Sequence, residues 1–178
     1  TVIRNDARNY LLTAEKKYDI ISSEPSYPSE SSVANLFTSD YYRLAAGRLK
    51  KGGMYCQWLP YYVLTNADVT MMVKTFASVF PYTYVWKVSS SLDLIMVGSR
   101  EPFQVTPQEI MARVGEMNRS GLPLEYTLSR TPEQVRDIAA QADVPINTDD
   151  LPLLEFATVD NMILGKLELK ERAVQPSR

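Results

Sequence analysis

The sequence contains no histidine, and this absence removes many familiar catalytic and metal sites. Ser-His and Cys-His nucleophile pairs are excluded, as is every metal site built on imidazole ligands. Proton transfer would therefore depend on Asp, Glu, Tyr or Lys side chains. The single cysteine, Cys56, cannot form an internal disulfide or a CxxC pair, which is compatible with a reducing compartment.

Strong charge of one sign and long apolar runs are also missing. The net charge is −2 and no basic cluster stands out, so the sequence predicts no nucleic-acid surface. No run approaches the roughly 18 consecutive apolar residues that suggest a membrane span. With 178 residues, 45% of them hydrophobic, the chain can bury the core of one ordinary domain. It opens without methionine on what reads as a strand end, so we expect it to begin inside a larger protein.

Apolar periodicity predicts strands that alternate with helices. The predicted strands are 1–4, 18–23, 54–59, 82–88 and 92–98. The predicted helices are 7–14, 40–49, 67–80, 107–118 and 131–142. Asn5 or Asp6, then Ser39 and Asn66, are the expected caps of the first three helices, and residues 24–38 read as a loop. This order is typical of an α/β domain with a mostly parallel sheet, whose last two strands form an antiparallel hairpin at a sheet edge.

A lone carboxylate, Glu24, directly follows the apolar run Tyr18–Ser23. That run is typical of a strand buried on both faces. Ligands of parallel sheets bind beyond the carboxyl ends of the strands, so Glu24 is a candidate functional residue. A solvated loop acid or a helix-capping acid would fit the same position.

Several short motifs occur in an order that is similar to that of a known family. They are DARNYL at 6–11, YDII at 18–21, SEPS at 23–26 with Pro28, ANLFT at 34–38, LKKGG at 49–53, CQWL at 56–59 and TDDLPLLEF at 148–156. The sequence resembles the polyamine aminopropyltransferases, the spermidine synthases. It is closest to a divergent spermidine synthase-like branch whose members are often fused to a membrane-spanning region. The resemblance covers residues 1–100 and the segment 145–157.

The resemblance implies the Rossmann-like fold of S-adenosylmethionine-dependent methyltransferases. The first strands of that fold, with the glycine-rich nucleotide loop, are expected before residue 1, so half of the cofactor site would be missing and this fragment inactive. Residues 1–100 would form a partial Rossmann-like catalytic domain, 101–160 a helical C-terminal extension closing over the site, and 161–178 a polar tail.

The resemblance also implies co-substrates and partners for polyamine biosynthesis. Decarboxylated S-adenosylmethionine would donate an aminopropyl group to a small amine or polyamine, with no permanently bound cofactor. Contact with a membrane would come only through a region before residue 1, which implies a cytoplasmic, soluble domain of a membrane protein. Because missing strands would leave an apolar sheet edge, we predict self-association into a homo-oligomer.

The resemblance assigns roles to five residues. Glu24 matches the catalytic aspartate of the synthases and is the expected proton acceptor. Asp6, with Ala7 beside it, matches the acid that binds the adenine amino group, although Asp6 also suits a helix cap. Gln57 matches a position facing the amine pocket, and its alternative is a polar residue at a strand end. Tyr27 stands where the synthases have a second aspartate; it could hold a cation or an adenine ring, or simply pack on the core.

Other interpretations remain open at the level of sequence. Asp149 and Asp150 could be read as a metal pair, but no third ligand has suitable spacing, so a turn or cap is preferred and no metal is expected. Cys56 reads as a buried small side chain rather than a nucleophile. An S-adenosylmethionine-dependent methyltransferase would suit Tyr27, because methyl transfer needs no second acid. A non-catalytic, nucleotide-sensing domain of a membrane protein is the alternative from another class.

Overall fold

The computed structural model describes residues 2–25, 28, 31–60, 64–88, 93–103, 105–119 and 126–157. Its helices are α1 (Ala7–Thr13), α2 (Ser31–Ala34), α3 (Ser39–Gly47), α4 (Asn66–Ala77), α5 (Pro107–Arg119) and α6 (Pro132–Gln141). Its strands are β1 (Tyr18–Ser23), β2 (Leu49–Pro60), β3 (Tyr82–Val88), β4 (Asp93–Ser99) and β5 (Tyr126–Arg130). None of the helices in these segments is long and apolar enough to cross a bilayer. The predicted α/β class is confirmed.

One sheet of five strands, in the order β1-β2-β4-β3-β5, organises the described residues. β1 and β2 are parallel, whereas β2–β4, β3–β4 and β3–β5 are antiparallel. The predicted hairpin of β3 and β4 is therefore present, and the antiparallel part of the sheet is larger than the sequence indicated. The hairpin lies inside the sheet and not at its edge, because β5 pairs with β3 on the outside. β5 is not among the predicted strands, because its five residues, YTLSR, offer only Tyr126 and Leu128 as alternating apolar positions.

β1 pairs with β2 along one side only, in a register that runs from Ile20 opposite Met54 to Ser23 opposite Gln57. Within the described segments no strand pairs with its other side. The prediction that this strand is buried on both faces is wrong, because Asp19, Ile20 and Ser22 are exposed, Ile20 at 55%. An apolar run indicates that a strand tends to be buried, but it does not show which other strands and helices lie against it. The self-association expected from this edge stays a prediction.

Two helix caps lie one residue earlier than predicted. Thr38, not Ser39, caps α3, and Thr65, not Asn66, caps α4. Both threonines have the extended backbone of an N-cap, and each accepts a hydrogen bond from the backbone N–H three residues on. Asp68 completes a capping box with Thr65. Adjacent hydroxyl and amide side chains make such positions hard to tell apart in a sequence.

The region before α3 is more ordered than the loop predicted for residues 24–38. It contains the short helix α2 and a 3-10 turn, Asn35–Phe37. Asp6 caps α1 by accepting a hydrogen bond of 2.8 Å from the backbone N–H of Asn9. This decides between Asn5 and Asp6 as the cap. The residues 2–4, predicted as a strand tail, adopt no regular structure.

Aromatic side chains fill the core between the sheet and the helices α3 and α4. Tyr42 and Phe76 have ring centroids 5.1 Å apart, and Tyr55 stacks on Phe80 at 5.4 Å. All four residues are fully buried. Gly98 of β4 lies directly beneath this cluster, since a Cβ there would stand 2.4 Å from Phe76 and 2.6 Å from Phe80. The missing side chain of Gly98 therefore lets the helix α4 approach the sheet closely.

Candidate functional site

A cavity of about 570 Å³ runs along β1 and α1, and its size is that of a small-molecule site. The residues that line it are Ile3, Asn5, Ala7, Tyr10, Leu11, Tyr18, Ile20, Ile21, Ser22, Ser23, Glu24, Pro25, Leu36 and Tyr41. Glu24 stands at the carboxyl end of β1, because it directly follows Ser23. The structure thus brings two of the predicted site residues, Glu24 and Ala7, to the same cavity.

Glu24 is the only acid among the described residues that line this cavity, and neither Lys nor Arg joins it there. The other lining side chains are apolar, hydroxyl-bearing or, at Asn5, an amide. The Glu24 side chain is exposed to solvent. The described wall of the cavity is therefore electrostatically suited to a cation and offers no countercharge for an anion.

The other predicted site residues lie close to the cavity without lining it. Asp6 precedes Ala7 and uses one carboxylate oxygen to cap α1, so its helix-cap alternative is the role that the structure displays. Gln57 is fully buried opposite Ser23: its Oε1 accepts from the Tyr55 hydroxyl at 2.9 Å and its Nε2 donates to the Trp58 carbonyl at 3.0 Å. The binding roles of Asp6 and Gln57 stay predictions. Tyr27 lies outside the described residues.

Two buried tyrosine hydroxyls lie next to the last residue of β1. Tyr41 and Tyr55 lie close to Ser23 and to each other, and burial raises the pKa of both phenols, that of Tyr55 well above its ordinary value. Burial also raises the pKa of the half-buried Cys56 thiol, which therefore lacks the thiolate character of a nucleophile. The two phenols and the thiol are therefore held in their neutral forms.

A pair of tyrosines in the cavity wall, Tyr10 and Tyr18, is not predicted by the sequence. The hydroxyls of Tyr10 and Tyr18 are 2.9 Å apart. The hydrogen bond to Tyr10 is the largest cause of a raised pKa at Tyr18. Tyr10 belongs to a helix and Tyr18 to a strand, so only the tertiary fold shows that they meet. The one sequence feature that marks Tyr10 as a candidate is its place in the DARNYL motif.

An ion pair between Arg8 of α1 and Asp149 lies beside the same wall without lining the cavity. Arg8 of α1 donates two hydrogen bonds to the carboxylate of Asp149, and Thr38 donates another at 2.6 Å. The Arg8 hydrogen bond is the main cause of a lowered pKa at Asp149, and the same bond raises the pKa of Arg8. Asp149 is therefore an ion-pair partner rather than half of a metal pair. No cluster of three or more Cys, Asp or Glu side chains suited to a metal occurs among the described residues.

Asn147 anchors the segment that carries Asp149. It is fully buried, and its side chain donates to the Phe37 carbonyl at 3.1 Å and accepts from the Leu154 N–H at 3.3 Å. Its own carbonyl accepts from the Ser39 N–H at 2.9 Å. The segment thus contacts the turn before α3, next to the cavity. Whether residues 101–160 close over a bound ligand stays a prediction.

Comparison with known proteins agrees with this architecture. No curated protein matches the sequence significantly. A crystal structure of a probable spermidine synthase from Corynebacterium glutamicum ATCC 13032 superposes with a TM-score of 0.57 at 19% identity. The match covers 80% of this chain but 52% of that one, so the chain spans about half the length of its solved relative. At this identity the likeness establishes the fold, which is Rossmann-like.

A family model provides the evidence on descent. The model of the spermine/spermidine synthase domain matches residues 1–104, more than half of the chain. These residues include α1, β1 and the cavity between them. The sequence motifs, the fold and the match therefore agree, and the chain belongs to the spermine/spermidine synthase family.

Proposed function

We propose that the full-length protein transfers an aminopropyl group from decarboxylated S-adenosylmethionine to an amine, with Glu24 as the proton acceptor. The observation that carries this proposal is the cavity at the end of β1, where Glu24 is the only acidic side chain among the described lining residues. Family membership supplies the reaction class. The proposal concerns the full-length protein, because this chain spans about half of its solved relative.

The chemistry requires a proton acceptor at this position. An alkyl amine has a pKa of about 10.4, so roughly one molecule in 10³ to 10⁴ is neutral near pH 7. Only the neutral amine has a lone pair to attack the carbon bonded to the sulfonium. Glu24 attracts the ammonium, takes its proton and, being exposed, passes that proton to water.

The bonds and charges then balance. The amine nitrogen forms a bond to the propyl carbon while the carbon–sulfur bond breaks. The electron pair of that bond returns to sulfur, so the sulfonium leaves as a neutral thioether and the positive charge passes to the nitrogen, which becomes a secondary ammonium. No oxidant, reductant or metal is needed. The work of the protein is to hold nitrogen, carbon and sulfur in line.

The charge of the cavity also favours the decarboxylated donor over S-adenosylmethionine itself. S-adenosylmethionine carries a carboxylate that would need a positive or N–H-rich partner, whereas the described lining offers an acid and no Lys or Arg. The decarboxylated donor carries only positive charge in that region. A methyltransferase is the alternative that this argument disfavours.

A charge-removing substitution tests the role of Glu24. In the full-length protein we expect Glu24→Gln to lower kcat by about 10²-fold or more while the affinity for the donor changes less than about threefold. Glu15→Gln is a matched control, because Glu15 is exposed on the loop before β1 and is not part of the cavity lining. Turnover would be followed as thioether release with putrescine, spermidine and simple diamines as acceptors.

The outcomes separate the candidate functions. Full activity of Glu24→Gln would remove Glu24 from the mechanism. Consumption of S-adenosylmethionine in place of the decarboxylated donor would identify a methyltransferase. Nucleotide binding measured by calorimetry, without turnover of any amine, would favour the nucleotide-sensing alternative.

A further inference from the structure

We propose that Arg8 and Asp149 form a positioning pair, which holds the N-terminal end of α1 against the cavity and thereby sets the affinity for the nucleoside part of the donor. The inference rests on the proposed function for its substrate, but its geometry is independent of that function. Neither residue lines the cavity, so both would act through the wall that they brace.

The pair is fixed by several hydrogen bonds. The Arg8 guanidinium binds both carboxylate oxygens of Asp149, with Nη1 to Oδ1 at 3.0 Å. The same Nη1 donates to the carbonyl of Asn35 at 3.2 Å. Thr38 donates its hydroxyl to Asp149 Oδ1 at 2.6 Å. Three parts of the chain therefore meet at one carboxylate: α1, the turn before α3 and the C-terminal segment, which is defined here as residues 147–154.

The residues that these hydrogen bonds link to Asp149, directly or through Arg8, each have a close neighbour that lines the cavity. Ala7 precedes Arg8, Leu36 follows Asn35, and both belong to the lining. Tyr41 also lines it, and its backbone N–H donates to Thr38 Oγ1 at 3.2 Å. Loss of the carboxylate would therefore act on three parts of the wall at once.

The helix α1 depends on tertiary contacts for its position. It has seven residues, and a helix that short is not stable by itself in water. Arg48 holds its C-terminal end by donating to the carbonyls of Leu11 at 2.7 Å and Leu12 at 2.8 Å. Arg8 provides the corresponding tie at the other end, which carries the predicted adenine-binding residues.

The backbone around Asp149 is itself held in place by hydrogen bonds. The backbone N–H of Asp149 donates to Asp40 Oδ2 at 3.0 Å, and the buried Asn147 anchors the chain two residues earlier. The side chains of Arg8 and Asp149 retain 22% and 37% of their exposure, so the pair adds little to global stability. A bidentate Arg–carboxylate pair is nevertheless strict in its geometry. An ion pair that adds little stability but has a strict geometry is suited to positioning α1.

The test compares Asp149→Asn with Asp150→Asn in the full-length protein. Asp150 is the next residue and is exposed, so its variant makes the same charge change without touching Arg8. We expect Asp149→Asn to raise KM for decarboxylated S-adenosylmethionine about tenfold, with kcat and the KM for the amine within about twofold. Asp149→Glu, which keeps the charge, should recover part of that loss. A purely structural defect would lower the active fraction and hence kcat, and would leave both KM values unchanged.

Hydrogen exchange of residues 7–13 gives a readout that does not need activity. We expect the α1 amides to exchange about tenfold faster in Asp149→Asn than in Asp150→Asn. If the wild-type protein shows no aminopropyl transfer, the proposed function fails and this exchange alone decides the positioning role. If the protein is active, equal donor KM values in the two variants would overturn the inference. If it is inactive, equal exchange rates in the two variants would overturn it.

Discussion

Replacing Asn147 by alanine would test the contact that joins the C-terminal segment to the rest of the fold. Asn147 is fully buried, and its amide bridges two backbone groups that are far apart in the chain. Its Nδ2 donates to the carbonyl of Phe37, and its Oδ1 accepts from the N–H of Leu154. The two bonds fix the orientation of the amide, because a carbonyl can only accept and an N–H can only donate.

The expected cost follows from what alanine leaves behind. A buried donor or acceptor that loses its partner costs about 1–3 kcal/mol, and Asn147→Ala orphans one of each. The bond to Leu154 is long, at 3.3 Å, so its share lies at the low end. We therefore expect the free energy of unfolding to fall by about 2–4 kcal/mol.

Urea unfolding of the purified protein, followed by circular dichroism, would measure this change. Asn66→Ala is the matched control, because Asn66 is exposed at the first position of α4, and we expect its effect to stay within about 0.5 kcal/mol. Asn147→Asp adds a second check, because its oxygen can still accept from Leu154 but would repel the carbonyl of Phe37. A loss for Asn147→Ala no larger than that of the control would refute the bridging role.

Two further predictions concern stability. Gly98→Ala should lower the free energy of unfolding by about 1–3 kcal/mol, because its Cβ would collide with the buried ring of Phe76 and with the Cβ of Phe80. Gly47→Ala, with open space around it, is the control, and equal urea midpoints for the two variants would contradict the packing. Asp149 has a lowered pKa in the folded protein, so its carboxylate stabilises the fold above the unfolded pKa of about 3.9, and this contribution is lost as the pH falls through the folded pKa. The stability difference between wild type and Asp149→Asn should therefore be larger at about pH 7 than at about pH 3 in urea titrations, and a constant difference would show that the ion pair is not its source.

Local sequence features predicted most of the elements and the position of Glu24. An apolar run followed by an acid places a carboxylate at a strand end whatever the rest of the fold does. Caps were misplaced by one residue at Thr38 and Thr65, because neighbouring side chains compete for the same N–H groups. These features depend on residues within one turn of each other, which is why a single sequence carries them.

Features that depend on distant partners could not be predicted in the same way. The exposure of β1 depends on which strands flank it, and the edge position of β5 depends on the path of the chain after the hairpin. The partner of Arg8 lies 141 residues away at Asp149. The sequence showed both DARNYL and TDDLPLLEF as motifs, but nothing in either motif states that they meet.

The placement of Gln57 shows how a residue could influence this site without contacting a substrate. The amide of Gln57 accepts from Tyr55, and the phenols of Tyr55 and Tyr41 lie next to Ser23. Ser23 immediately precedes Glu24, so this buried polar network ends one residue before the carboxylate that we propose as the proton acceptor. Buried networks of this kind are rigid when every member is satisfied, and a displacement of about 1 Å at a reacting group can cost on the order of 10²-fold in rate. Loss of activity in a Gln57 variant would therefore be expected from displacement of Glu24 alone, and only a changed preference among amines would indicate direct contact with the acceptor.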